Sequence, residues 1–161
     1  MSAATPPAIQ DFYPDDAARC YGCGRLNPEG LGLQTRWDGD ETLTLFTPQA
    51  YHTALPGFVY GGLLASLIDC HATGTAAAAS ERAAGRDIGA AAAPRFVTAA
   101  LNVAYLRPTP LGCELEIRGR VTTSSERKTV VAVTLAARGE VTVRGEVVVV
   151  RLPAAPAARA D

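Results

Sequence analysis

Asp69 sits where a reactive carboxylate would be placed. It lies in the stretch Tyr60-Gly61-Gly62-Leu63-Leu64-Ala65-Ser66-Leu67-Ile68-Asp69-Cys70-His71-Ala72, where Leu64, Leu67 and Ile68 fall at helical spacing. The paired glycines open that helix. First-turn amides lack intrahelical partners and lie at the positive end of the helix dipole. The Gly61 amide is therefore a donor for a developing oxyanion, with no side chain to hold a substrate away. A carboxylate supplies the other half of such chemistry, as general base or as nucleophile. His52 lies in the loop before the helix, whereas His71 follows the helical pattern and reads as a packed or interfacial histidine. Cys20 and Cys23 have metal-ligand spacing, with Cys70 in the helix and Cys113 at a strand start. One C-x-x-C without a second pair falls short of a zinc signature, and no thioredoxin-like βαβ pattern follows it. The expectation is a chain with no metal and no redox cofactor.

The elements that must position these residues follow from turn signals and periodicity. Cys20 to Leu33 is dense in turn residues and reads as a shaped loop. Leu33 to Trp37 and Glu41 to Thr47 flank Asp38-Gly39-Asp40 and read as a hairpin. Pro48 to Val59 is a connecting loop, turning at Pro56-Gly57, that leads into the helix; the helix ends near Ala84, and an Ala-rich link runs to Pro94. Beyond Arg95 the pattern changes. Phe96 to Leu106, Glu114 to Thr123, Thr129 to Ala137 and Val141 to Leu152 are β-rich runs, and Val141, Val143, Gly145, Val147 and Val149 give the last of them one apolar face. Two strands, a long helix and four strands make an α+β order, with a curved antiparallel sheet of about six strands around one central helix.

Length and charge bound the rest. With 161 residues the chain forms a single domain. Residues 1–18, with three prolines and no apolar period, read as a loosely ordered arm, residues 153–161 as a Pro/Ala-rich tail, and 19–152 as the domain. Fifteen basic side chains against 16 acidic ones leave no electrostatic footprint for nucleic acid or an anionic membrane. Tyr60 to Ala79, the most apolar long segment, carries Asp69 and His71 and is a poor membrane span. Nothing at the N-terminus has the charged-then-apolar form of a secretion signal, so the expected location is the cytoplasm.

Three stretches together resemble the hot-dog fold and, within it, the PaaI-like acyl-CoA thioesterases. They are Cys20-Tyr21-Gly22-Cys23-Gly24 with Asn27-Pro28-Glu29-Gly30-Leu31; His52 with Pro56-Gly57-Phe58-Val59-Tyr60-Gly61-Gly62 and Asp69; and Asn102-Val103-Ala104-Tyr105-Leu106-Arg107-Pro108 before Leu111-Gly112. The resemblance runs from about Cys20 to Leu152. It departs at the helix start, where family members carry His-Gly-Gly and this chain has Tyr60-Gly61-Gly62, which keeps the backbone and removes the imidazole.

What the resemblance implies is hydrolysis of an acyl-CoA thioester to free acid and Coenzyme A. Asp69 matches the catalytic carboxylate and Gly61 the oxyanion donor. Thr98, by its distance from Asn102, matches a Ser or Thr that positions the attacking water, and His52 contacts the thioester or orients its loop. Tyr60, Gly62 and Asn102 belong with the substrate contacts. Arg107, Arg127 and Lys128, at strand ends or in a turn, are the candidate partners of the Coenzyme A phosphates. Two other readings of the same residues are a hot-dog protein that binds acyl-CoA or an apolar ligand without turnover, for which the absent histidine speaks, and a hydratase or dehydratase, hinted at by His52 with Pro56-Gly57. The latter lacks the acid expected after the Pro-Gly, where Gly62 stands.

Spacing adds an inference of its own. Eight residues of helix put Asp69 roughly 12 Å along the axis from Gly61, too far for both to serve one carbonyl within a chain. Two such helices packed antiparallel would bring the Gly61 of one chain to the Asp69 of its partner, so the chemistry calls for a symmetric dimer with two composite sites. Hot-dog thioesterases pair in this way, and many pair again, so the expected assembly is a homodimer or homotetramer.

Overall fold

The computed structural model describes residues 4–154, so the last residues of the expected tail and the first three of the expected arm lie outside the described residues. The element order is two short strands, one helix and four long strands: β1 (Arg36–Asp38), β2 (Glu41–Phe46), α1 (Gly61–Ala83), β3 (Phe96–Tyr105), β4 (Leu115–Ser124), β5 (Lys128–Ala137) and β6 (Glu140–Arg151). Each long strand begins and ends within two residues of its expected bounds. The strands form one antiparallel sheet in the order β1-β2-β4-β5-β6-β3.

Gly39 makes the first hairpin. Its φ of 65° is left-handed, which an Asp-Gly turn supplies at little cost. β1 is shorter than its expected span because the backbone before it pairs elsewhere: the Thr35 amide donates to Gln10 Oε1 at 2.8 Å, and the Thr35 carbonyl accepts the Ile9 amide at 3.0 Å.

That pairing corrects the expectation of a loosely ordered arm over residues 1–18. From Ala8 the stretch is packed, with 3-10 turns at Ile9–Phe12 and Asp15–Ala17 and with Ala8, Ile9, Gln10, Tyr13 and Ala18 buried. It has no apolar period because it forms no regular element. Irregular backbone is held here by side chains that reach it from across the fold.

α1 is buried nearly all round, as a helix is when a sheet wraps it. Leu64, Leu67 and Ile68 face Val131, Val133, Leu135, Val143, Val147 and Val149 in one apolar core, and Ala72, Ala76, Ala77 and Ala78 let the strands approach its second half. His71 lies in that core, wholly buried. Its Nδ1 is 2.8 Å from Thr44 Oγ1 and its Nε2 3.1 Å from Thr42 Oγ1, so both ring nitrogens are satisfied by hydroxyls. Burial pulls its pKa down to about 3, against a weaker opposing hydrogen bond from the Thr42 backbone. It is the packed histidine expected. Thr44 continues the network to Thr35 at 3.3 Å and thence to Gln10 at 3.0 Å, which ties the N-terminal stretch to the helix through polar groups.

The edge strand β3 is different. Past Phe96 almost every residue is exposed, including Val97, Leu101 and Tyr105, and only one of its edges is paired, to β6. An unpaired edge with apolar side chains on it is a surface that sheet proteins usually cover.

Candidate active site

Asp69 occupies the middle of α1, half-buried, on the side facing β3. There the Thr98 hydroxyl donates to Asp69 Oδ1. The β3–β6 register slips between Thr98 and Ala100, a bulge that re-aims side chains locally. The offset from Asn102 that singled out Thr98 thus leads to the one residue of β3 that meets the carboxylate.

Gly61 is the first residue of α1. Tyr60 precedes it with φ −62° and ψ 127°, extended backbone that ends the loop and starts the helix. The Tyr60 carbonyl accepts the amides of Leu63 and Leu64 at 3.1 and 3.3 Å. The amides of Gly61 and Gly62 precede that first helical bond and have no backbone acceptor among the described residues. The Tyr105 hydroxyl donates to the Gly61 carbonyl at 2.7 Å, fixing the peptide that follows the amide. The exposed Tyr60 ring folds back over Gly62, where a side chain would collide with it.

The loop before the helix is set by His52. Its Nδ1 accepts the Gln49 amide at 2.9 Å, its carbonyl accepts the Tyr60 amide at 2.9 Å, and its ring lies against those of Phe46 and Tyr51. These contacts hold the backbone from which Gly61 projects. Beside Gly61 opens a cavity of about 490 Å³ lined by Leu55, Phe58, Leu64, Tyr105 and Leu106, with Arg107 at its rim. Its lining is apolar, suited to a hydrocarbon or aromatic group.

The candidate residues therefore fall into two groups within a chain. His52, Tyr60, Gly61, Gly62 and Arg107 gather at the start of α1. Asp69 and Thr98 lie further along it, and Arg127 and Lys128 are on their side: Lys128 pairs with Val150, which pairs with Val97, two strand spacings or about 10 Å from the edge strand. Asn102 is exposed on β3 between the groups. Arg107 and Arg127 are far apart. The Arg107 amide bonds the Thr142 carbonyl and the Arg127 carbonyl accepts the Arg151 amide, and the nine residue steps along β6 from Thr142 to Arg151 span about 30 Å. Arg107 also pairs with Glu140 at the surface.

Residues 56–144 match the family model described as Thioesterase superfamily. The chain belongs to that superfamily. It is 49% identical to a thioesterase superfamily protein of Shewanella loihica PV-4, over 76% of this chain and 92% of that one, with a TM-score of 0.63. Its hot-dog fold is shared with the PaaI protein of the E. coli phenylacetic acid degradation operon, at 18% identity over 76% of this chain and 81% of that one, TM-score 0.59. A hypothetical thioesterase protein of Streptococcus pneumoniae TIGR4, solved with Coenzyme A, shares it too, at 15% identity over 74% of this chain and 85% of that one, TM-score 0.59. No curated protein matches the chain. Among the described residues no helix is long and apolar enough to cross a membrane.

In this superfamily member, Tyr105 stands in a stretch that carries the family resemblance, and its position in the sequence implies no role. Its hydroxyl contact with Gly61 joins positions 44 residues apart, which no local pattern records. Leu55 lies in the connecting loop and Phe58 in one of the stretches that carry the resemblance, neither with a role of its own; their exposure, 72% and 40% in one chain, is the trace left by the cavity they line.

Proposed function

We propose that the protein is a homo-oligomeric acyl-CoA thioesterase with composite sites, each using the Gly61 amide of one chain and the Asp69 carboxylate of the other. The observation that carries this reading is the Thr98 hydroxyl on Asp69 Oδ1, at a bulge in an edge strand whose outer side is unpaired. It holds the carboxylate at the face a second chain would cover. The 49% identity to a thioesterase superfamily protein supports the reaction class.

The apolar cavity beside Gly61 takes the acyl group, and the Gly61 amide donates to the thioester oxygen. With one oxygen of Asp69 held by Thr98, the other accepts a proton from water as that water attacks the carbonyl carbon. Charge accumulates on the oxyanion and is stabilised by the amide at the helix start. The carbon–sulfur bond then breaks, the thiolate leaves and takes a proton, and the products are a carboxylic acid and Coenzyme A. Direct attack by Asp69, with a mixed anhydride hydrolysed in a second step, uses the same groups.

Antiparallel pairing also explains the split among the basic residues. Arg107 stands with Gly61, while Arg127 and Lys128 stand with Asp69, so a two-fold axis brings the two sets to one substrate. The neighbour solved with Coenzyme A has a ligand of this chemistry. Thiol release from a panel of short, long and aromatic acyl-CoAs tests the proposal. Turnover of at least one member is expected; no turnover across the panel, or full activity in Asp69→Ala, would overturn it. Tight binding without thiol release would instead support a non-catalytic acyl-CoA binder, the reading that Tyr60 in place of histidine favours.

A further inference from the structure

The proposed reaction leaves one chemically dense cluster unused. Cys20, Cys23 and Cys70 point their sulfurs at one another, all within 4.8 Å, and the sulfurs of Cys20 and Cys70 are 3.8 Å apart. The first two come from the loop before β1 and the third from α1, immediately after Asp69. We propose that these three cysteines form a thiolate site for a zinc ion, which fastens the Cys20–Leu33 loop to the middle of α1.

The geometry suits the ion. Zinc–sulfur bonds of about 2.3 Å in a tetrahedron put the sulfurs about 3.8 Å apart, whereas a disulfide requires about 2.05 Å and would use only two of the three. The loop is shaped for the purpose: a Cβ at Gly22 would overlap Cys70 Sγ, so the glycine is what lets the loop lie against the helix. The Gly24 amide closes a turn onto the Cys20 carbonyl at 2.8 Å, which brings Cys20 and Cys23 together in the loop.

A second set of groups points to the same ion. Tyr13 is wholly buried within electrostatic reach of Cys23 and Cys70, and its hydroxyl has no hydrogen-bond partner among the described residues. Arg95 stacks on the Tyr13 ring at 4.2 Å, and its Nη1 is likewise buried without a partner. A buried phenol hydroxyl and a buried guanidinium nitrogen without partners are costly. Three thiolates around a zinc ion carry one net negative charge, which the Arg95 cation balances. A water completes the fourth position. Cys20 and Arg95 also line a cavity of about 830 Å³, which gives the ion a way in. Binding breaks three S–H bonds, forms three Zn–S bonds and releases three protons, with no change of oxidation state.

This proposal stands apart from the hydrolase reading, and its test reads no activity. Full-length protein, reduced and stripped with a chelator, is titrated with Zn2+ in competition with a chromophoric chelator, and separately with Co2+ as an optical probe. The expected result is about one ion per chain and a sulfur-to-cobalt charge-transfer band in the near ultraviolet. Cys23→Ser and Cys70→Ser should abolish both, and Cys113→Ser, outside the cluster, should change neither. Absence of the charge-transfer band from wild-type protein would overturn the site, whatever the variants do. So would Zn2+ retention equal in wild type and Cys23→Ser, or rapid formation of a Cys20–Cys70 disulfide in place of metal uptake.

Discussion

Asp69 takes its assignment from what holds it. One of its oxygens accepts the Thr98 hydroxyl, and no other hydrogen bond to the carboxylate occurs among the described residues. Asp69→Asn keeps the shape and removes the base, so kcat should fall by about 10²–10⁴-fold with KM little changed. Thr98→Val keeps the β-branched bulk but loses the hydroxyl; a roughly tenfold drop in kcat is expected, the equivalent of one hydrogen bond of about 1.4 kcal/mol. Steady-state kinetics on any acyl-CoA that is turned over separates the two. His71 makes a prediction about stability rather than rate. Its folded pKa of about 3 lies below the ordinary histidine value, so the folded state holds it neutral while the unfolded chain takes up a proton as pH falls below about 6.5. Its contribution is complete above that pH and is lost at about 1.4 kcal/mol per pH unit on the way down towards 3. Urea unfolding from pH 7 to 4 should show that slope in wild type and a shallower one in His71→Gln, which retains a donor and an acceptor for Thr42 and Thr44. Asp69, Gly61 and His71 were legible because each sits in a helical register that can be counted. Tyr105 and the third cysteine were not, because each acquires meaning only from a contact across the fold.

Among the elements, those bounded by turn residues were read closely. Asp38-Gly39-Asp40 marked the first hairpin, and alternation along Val141 to Val149 marked the core face of β6, where Val143, Val147 and Val149 are buried. The N-terminal stretch escaped the reading for a physical reason. Ile9 and Tyr13 are core residues, but no period connects them, and the partner that anchors the stretch, Thr35, lies 25 residues from Gln10. Gln10→Ala would leave the buried Thr35 amide without an acceptor. We expect a loss of about 1–3 kcal/mol in urea unfolding, with the fold retained. An arm that contributed nothing would give no change.

At the scale of the whole molecule, the proposed site takes groups from two chains. The amide at the helix start and the carboxylate at its middle face separate regions, and the strand beside both has a bare, partly apolar edge. The distance between Gly61 and Asp69 was available from residue counting; the exposed edge that would admit a second chain was not, since alternation in β3 looks the same whether a partner covers it or not. A dimer or tetramer is therefore expected by light scattering at micromolar concentration. The most direct test of the composite site mixes two defects. Proline at position 61 removes the amide donor yet suits the first turn of a helix, and Tyr60 already has the extended backbone that a following proline requires. Gly61→Pro and Asp69→Asn chains should each be nearly inactive alone. Co-expressed in equal amounts and assembled at random, half the dimers are mixed and each mixed dimer has one intact site, so about a quarter of wild-type activity should return. A mixture no more active than its parents would contradict a site shared between chains.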